Sequence, residues 1–260
     1  MSELPPSPPA KPKFLLGLLL IFTLLAAAIV LVLLMPVRDP QEGKPQGIHL
    51  RNGRMEPHAE QCLHRMQMLA LAMHNYHDVH ASFPPAYTVD AEGRPLHSWR
   101  VLLLPFLEQT AVFDMIRHDE PWDSDYNRQF HGRVMDVFEC PNNPMVGGSA
   151  YSAVVGPGTI FEIRDKALSM GDISDGTSNT IMFVERAVPL KCWMDPTQEI
   201  TLDEAKKGIN VSPNGIGSAH PGGAMIAVCD GSVRWFEDST DPGTLEALLI
   251  RNDGRAVYMP

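Results

Sequence analysis

The sequence predicts an α+β domain, with a long helix first and a small antiparallel sheet after it, carried behind an N-terminal transmembrane helix. Three observations predict it. Residues 14–35, FLLGLLLIFTLLAAAIVLVLLM, carry no charge; residues 60–80 place apolar side chains at helical spacing; and beyond Cys140 short β-prone runs alternate with turn signals. A chain whose strands follow its helices, rather than alternating with them, belongs to the α+β class. With 260 residues, 44% of them hydrophobic, the chain can bury a core. Lys and Arg number 21 against 31 Asp and Glu, a net charge of −10. No basic run is present, so nucleic acid is excluded as a partner, because phosphate neutralisation needs clustered cations.

Residues 1–13 are rich in proline (Pro5, Pro6, Pro8, Pro9, Pro12) and read as a disordered cytoplasmic tail. The 22 residues of 14–35 rise about 1.5 Å each, roughly 33 Å, enough to cross the hydrocarbon core. A cleaved signal peptide fits less well. Its apolar region is shorter and ends at a small-residue site, whereas Ala26, Ala27 and Ala28 lie in the middle of this run. No cysteine follows closely enough for a lipid anchor. Lys11 and Lys13 precede the span, and Arg38, Asp39, Glu42 and Lys44 follow it. This bias predicts a cytoplasmic N-terminus and an extracytoplasmic body, held by the bilayer of the inner (cytoplasmic) membrane through residues 14–35.

Residues 36–57 hold Pro36, Pro40, Gly43, Pro45, Gly47, Gly53 and Pro57 among charges and read as a linker; residues 58–260 form the exported domain. In EQCLHRMQMLALAMHNYHDVH, the residues Leu63, Met66, Ala70, Met73 and His77 share one helical face. This helix ends before Phe83-Pro84-Pro85, since residues preceding proline avoid helical angles. A second helical stretch runs from Ser98 to Phe113, interrupted at Pro105. Strands are expected at Tyr151–Val155, Thr180–Val184, Ala224–Val228 and Ser232–Phe236. Asp230-Gly231 between the last two predicts a hairpin with a type I′ turn and positive φ at Gly231. A final helix is expected over Thr244–Ile250.

Cys62, Cys140, Cys192 and Cys229 show no C-x-x-C spacing, which disfavours a Cys₄ zinc site. Outside the cytoplasm four cysteines permit disulfides, and Cys62–Cys140, linking the first helix to the start of the sheet, is the expected pair; four buried free thiols are the other reading. His74, His77 and His80 recur every three residues on the helix. Such spacing can bring imidazoles to a metal, but steps of three drift around the helix, so hydrogen bonding to the helix end is the plainer role. Asp172, Asp175 and Asn179 have the composition of a calcium loop without its spacing, and a turn explains them. His74, His77, Asp172 and Asp175 are the candidate metal ligands from sequence. No nucleophile elbow, phosphate loop, dinucleotide fingerprint or H-E-x-x-H is present. No cofactor is expected.

Six motifs together resemble one family: CLHRMQMLALAMHNYHDVHASFPPA, SWRVLLLPFLEQ, FECPNN, YSAVVGPGTIF, ISDGTSNTIMFVE and HPGGAMIAVCDGSVRWF. They are similar, in the same order, to the pseudopilin-like family of planctomycete bacteria called domain of unknown function 1559, with its prepilin-type H-x9-DG C-terminal motif. The motif residues here are His220, Asp230 and Gly231. The resemblance spans about Gln61 to Tyr258. It implies a pilin-like head, a helix spine against a small antiparallel sheet, and a place in the cell envelope. The N-terminus departs from the family's pilin signal: Gly17 is followed by Leu18, no Glu lies in the span, and the linker separates the span from the soluble helix. These departures argue for a fixed single-pass anchor rather than a fibre subunit.

The expected function is therefore a membrane-anchored pseudopilin-like envelope protein with a structural or protein-interaction role, engaging an envelope protein and not catalytic. The alternative is an extracytoplasmic ligand- or metal-binding module for calcium or glycan. Less favoured is a metal-assisted hydrolase, which would need His77, His220 and Asp230 to converge.

Overall fold

The computed structural model describes residues 57–162, 167–255 and 257. The tail, the span at 14–35 and nearly all of the linker lie outside the described residues. Among the described residues no helix is long and apolar enough to cross a membrane.

Helix α1 (Pro57–His80) opens the described chain. Proline suits a first helical turn, whose N–H groups have no intrahelical acceptor. Its buried stripe runs through Ala59, Cys62, Met66, Leu69, Ala70 and Met73. That stripe is displaced slightly from the face expected from sequence: Leu63 and His77 sit half-buried at its margin, and Cys62 takes a central place. The helix stops at Ala81, whose φ of 58° is left-handed.

A hairpin of β1 (Tyr87–Val89) and β2 (Pro95–Ser98) follows. The second helical stretch is broken as expected: α2 (Trp99–Leu103), a 3₁₀ turn at Leu104–Leu107, then α3 (Thr110–Met115). Pro105 lacks an N–H and cannot continue an α-helical ladder.

The main sheet comprises β3 (Ser149–Ser152), β5 (Ile181–Leu190), β7 (Gly223–Val228) and β8 (Val233–Glu237), all antiparallel, in the order β3-β5-β7-β8. The expected strand at Tyr151–Val155 is divided. Ala153 turns out of the ladder, donating its N–H to Glu199 Oε2 at 2.7 Å, and β4 (Val154–Val155) pairs in parallel with β6 (Ile200–Thr201). β5 extends well past Val184. It carries two buried charges whose polar atoms are satisfied inside: Glu185 accepts from Met225 N–H at 2.7 Å, and Arg186 donates to the carbonyls of Val188 and Gln198 at 2.7 Å each.

Strand alternation sorts the side chains into two cores, one on each face of the sheet. Met225, Ala227 and Phe183 join Met66, Leu69 and Met73 of α1. Ala224, Ile226 and Phe236 join Leu245, Leu248 and Leu249 of α5 (Pro242–Leu249). The short helix α4 (Leu202–Ala205) adds Ala205 to the second core. The fold is α+β, with one long helix laid on an antiparallel sheet and a short one behind it.

The β7–β8 turn departs from the type I′ expectation. Gly231 N–H donates to Val228 C=O at 2.9 Å, and Val228 N–H to Ser232 C=O at 2.8 Å. This is a three-residue loop in which Gly231, at φ 87°, occupies the position after the turn rather than within it, while Asp230 keeps negative φ. Asp230 Oδ1 closes the loop by accepting from the backbone and hydroxyl of Ser232, at 2.9 and 2.6 Å.

Candidate functional site

Four polar side chains meet beneath α1. Cys62 projects from the centre of the helix's buried stripe. Cys140 follows a 3₁₀ turn at Asp136–Phe138, ahead of β3. Glu185 sits on β5 on the face that carries Phe183, and His220 stands three residues before β7. The sulfurs of Cys62 and Cys140 lie 3.1 Å apart. Cys140 Sγ is 3.4 Å from His220 Nε2, and His220 Nε2 is 4.0 Å from Glu185 Oε1. One ligand atom from each of the four falls within 4.8 Å of every other. None is more than 3% exposed.

Each member has a supporting contact. Glu185 Oε2 takes the Met225 N–H, leaving Oε1 toward His220. His220 Nδ1 lies 3.0 Å from the Asn142 amide nitrogen, and the Asn142 amide oxygen lies 2.5 Å from His58 Nδ1. Beside Cys140, the Tyr151 hydroxyl donates to the Glu139 carbonyl at 3.3 Å. Ser218 Oγ accepts the His220 N–H at 2.9 Å, which holds the loop before β7.

The electrostatics follow from burial. Glu185 is pushed up to about 8 because its charged form is desolvated, a shift that His220 and the Met225 N–H partly oppose. Of the two thiols Cys140 ionises first. The Cys62 thiol and His220 stabilise its thiolate, while Cys62, donating to Cys140 and desolvated, is held well above the usual thiol range. Such a group can share protons internally or hold a cation. Its enclosure leaves no side open to a substrate.

The sequence-derived candidates fare differently. Cys62 and Cys140, expected as a disulfide, are brought into contact but stand as free thiols, as do Cys192 and Cys229. A disulfide needs an S–S distance of about 2.05 Å. Among the described residues the buried cluster is the group of three or more metal-ligating side chains close enough for one ion, and it contains none of His74, His77, Asp172 and Asp175. His77 Nε2 instead accepts the Met170 N–H at 3.2 Å, and Asp172 accepts from Ser169 in a capping box. Asp175 binds the backbone N–H groups of Asp253 and Gly254, at 2.7 and 3.1 Å, tying down the C-terminal segment. His74 lies against the hairpin tip: a methyl group added to Gly231 would meet its Nε2 at 3.2 Å.

His220 and Asp230 do not meet. His220 joins the buried cluster ahead of β7, whereas Asp230 turns its carboxylate to Ser232 in the loop after it. Among the described residues His77, His220 and Asp230 share no cluster of ligand atoms. Sequence reading missed Glu185 and Asn142. The signal for Glu185 was present: a carboxylate, with Arg186 beside it, inside the otherwise apolar run IMFVERAV.

A family model described as "Protein of unknown function (DUF1559)" matches residues 59–199 and 191–243. No curated protein and no solved structure matches.

Proposed function

The chain belongs to the DUF1559 family, and from that premise we propose that it is a membrane-anchored, pseudopilin-like protein of the cell envelope with a structural or protein-interaction role. In this reading residues 14–35 anchor it in the inner membrane, the N-terminus is cytoplasmic, and the domain from residue 58 onward is extracytoplasmic. The relation to planctomycete pseudopilins and the H-x9-DG motif at His220, Asp230 and Gly231 belong to the same proposal.

The observation that carries it is the division of the chain. An uncharged run of 22 residues is followed by a domain in which one long helix lies on an antiparallel sheet, which supports the pilin-like head that the resemblance implies. The motif residues have architectural work in this domain. Asp230 and Gly231 shape the hairpin tip against His74, and His220 lies in a sealed interior. A closed polar cluster fits a structural role better than turnover, which requires an open position for substrate. The calcium alternative is less favoured, because Asp172 and Asp175 each turn a carboxylate oxygen to a backbone N–H.

Fractionation of cells expressing the full chain tests this. The protein is expected in the membrane pellet after alkaline carbonate washing, and added protease should degrade the domain in spheroplasts without lysis. Deleting residues 14–35 should move it to the soluble fraction. Recovery of the intact chain in the soluble fraction, or protection of the domain from external protease, would overturn the proposal.

A further inference from the structure

The fold brings two thiols, a carboxylate and an imidazole together from four separate segments, and their spacing is that of a coordination sphere. Tetrahedral zinc with bonds of about 2.0–2.3 Å sets its ligand atoms about 3.3–3.8 Å apart. The observed edges of 3.1, 3.4 and 4.0 Å bracket that range. No pair of the four atoms exceeds 4.8 Å, so an edge need shorten by at most about 1 Å to reach the upper end of that range.

We propose that Cys62, Cys140, Glu185 and His220 form a closed, structural site for one zinc-class divalent cation. Two thiolates, one carboxylate and one neutral imidazole make a borderline-soft donor set that suits zinc and leaves a net charge of −1 around the ion. Among the described residues Glu185 forms its ion pair with His220 and with no Lys or Arg. A cation is thus the group that would compensate a carboxylate otherwise buried with one backbone N–H and a histidine for company. The outer contacts are those of a metal site. Glu185 Oε2 is held by Met225 N–H, which directs Oε1 inward. His220 must offer the Nε2 lone pair, and so must donate from Nδ1. A half-turn of the Asn142 amide exchanges its oxygen and nitrogen in place, keeps both contacts, and lets Oδ1 accept from Nδ1–H while Nδ2 donates to His58. With every donor buried there is no position for water, so the ion would clamp α1, the segment before β3, strand β5 and the segment before β7. It would not act on a substrate.

The full chain, purified in detergent with reductant and without chelator, provides the test. Zinc by mass spectrometry is expected at one ion per chain. Replacement by Co²⁺ should produce thiolate charge-transfer bands together with the intense visible bands of a tetrahedral ion. Cys140→Ser should abolish both, whereas Cys229→Ser, outside the cluster, should keep them. Asn142→Ala should weaken affinity by about 10–100-fold. That variant and the wild-type cobalt spectrum decide the matter should Cys140→Ser fail to fold. A folded, reduced wild-type chain that holds less than about a tenth of an equivalent of zinc and takes up no Co²⁺ overturns the proposal. So does a Cys62–Cys140 disulfide found in chain alkylated during extraction without reductant.

Discussion

Arg100 Nη1 lies 2.7 Å from Glu199 Oε1, with both side chains almost wholly buried. The pair is enclosed by further bonds. Arg100 Nη2 donates to the Tyr151 carbonyl at 2.5 Å and Nε to Ser149 Oγ at 3.1 Å. Glu199 Oε2 accepts from Ser152 Oγ and Ala153 N–H at 2.8 and 2.7 Å, and Oε1 from Trp99 Nε1 at 3.1 Å. The pair joins α2 to the place where β3 gives way to β4. Removing one partner leaves an uncompensated buried charge, which costs about 3–5 kcal/mol. Arg100→Met is expected to lower unfolding stability by that amount in urea titrations. The double variant with Glu199→Leu should recover part of the loss, because neither charge is then left alone.

His97 makes stability depend on pH. It is 1% exposed, its Nε2 lies 3.3 Å from the Arg117 carbonyl, and its ring is 5.6 Å from that of His118. Burial, with the neighbouring His118 charge, lowers it from the usual 6.5 to about 4. Between pH 6.5 and 4 the unfolded chain binds a proton that the folded chain refuses. Stability from this group is therefore full above pH 6.5 and is lost as pH falls toward 4, by on the order of 3 kcal/mol. Denaturant titrations of His97→Gln across that window should show a shallower slope than wild type.

Gly231→Ala combines two penalties. Its φ of 87° disfavours any side chain, and the new methyl would press on His74 Nε2 at 3.2 Å. A loss of about 1–2 kcal/mol is expected from the backbone alone. Gly132→Ala, with open space and no positive φ, should stay within about 0.5 kcal/mol of wild type. Equal melting temperatures for the two variants would contradict this account of the hairpin.

The two sides of α1 should respond oppositely to truncation. Met66 is 0% exposed against the sheet, whereas Leu71 is 61% exposed. Met66→Ala should cost about 2–5 kcal/mol, and Leu71→Ala close to nothing. Thermal unfolding of both checks which face the helix buries.

Much of the fold was legible because it is written in near neighbours. The helix at 60–80, the break at Pro105, the Asp-Gly hairpin and the terminal helix each rest on contacts within a turn or two of chain. Local propensity and period decide such features. The details that slipped were those where a distant group intervened. Glu199 captures Ala153 N–H and divides one expected strand into two. The loop closed by Ser232 places Gly231 after the turn rather than inside it.

By itself the sequence determined that the chain carries an uncharged 22-residue run, that its domain is α+β, and that it belongs to the DUF1559 family. Only the tertiary structure decided which polar residues share a site. Cys62 and Cys140 are 78 residues apart, and Cys140 and His220 are 80 apart. No periodicity reaches across such separations. Their meeting depends on α1 lying over β5 and β7, and hence on the hydrophobic packing of a whole sheet face. The same packing sends His220 inward and leaves Asp230 at the far end of β7, so two residues ten apart in sequence serve separate places in the fold.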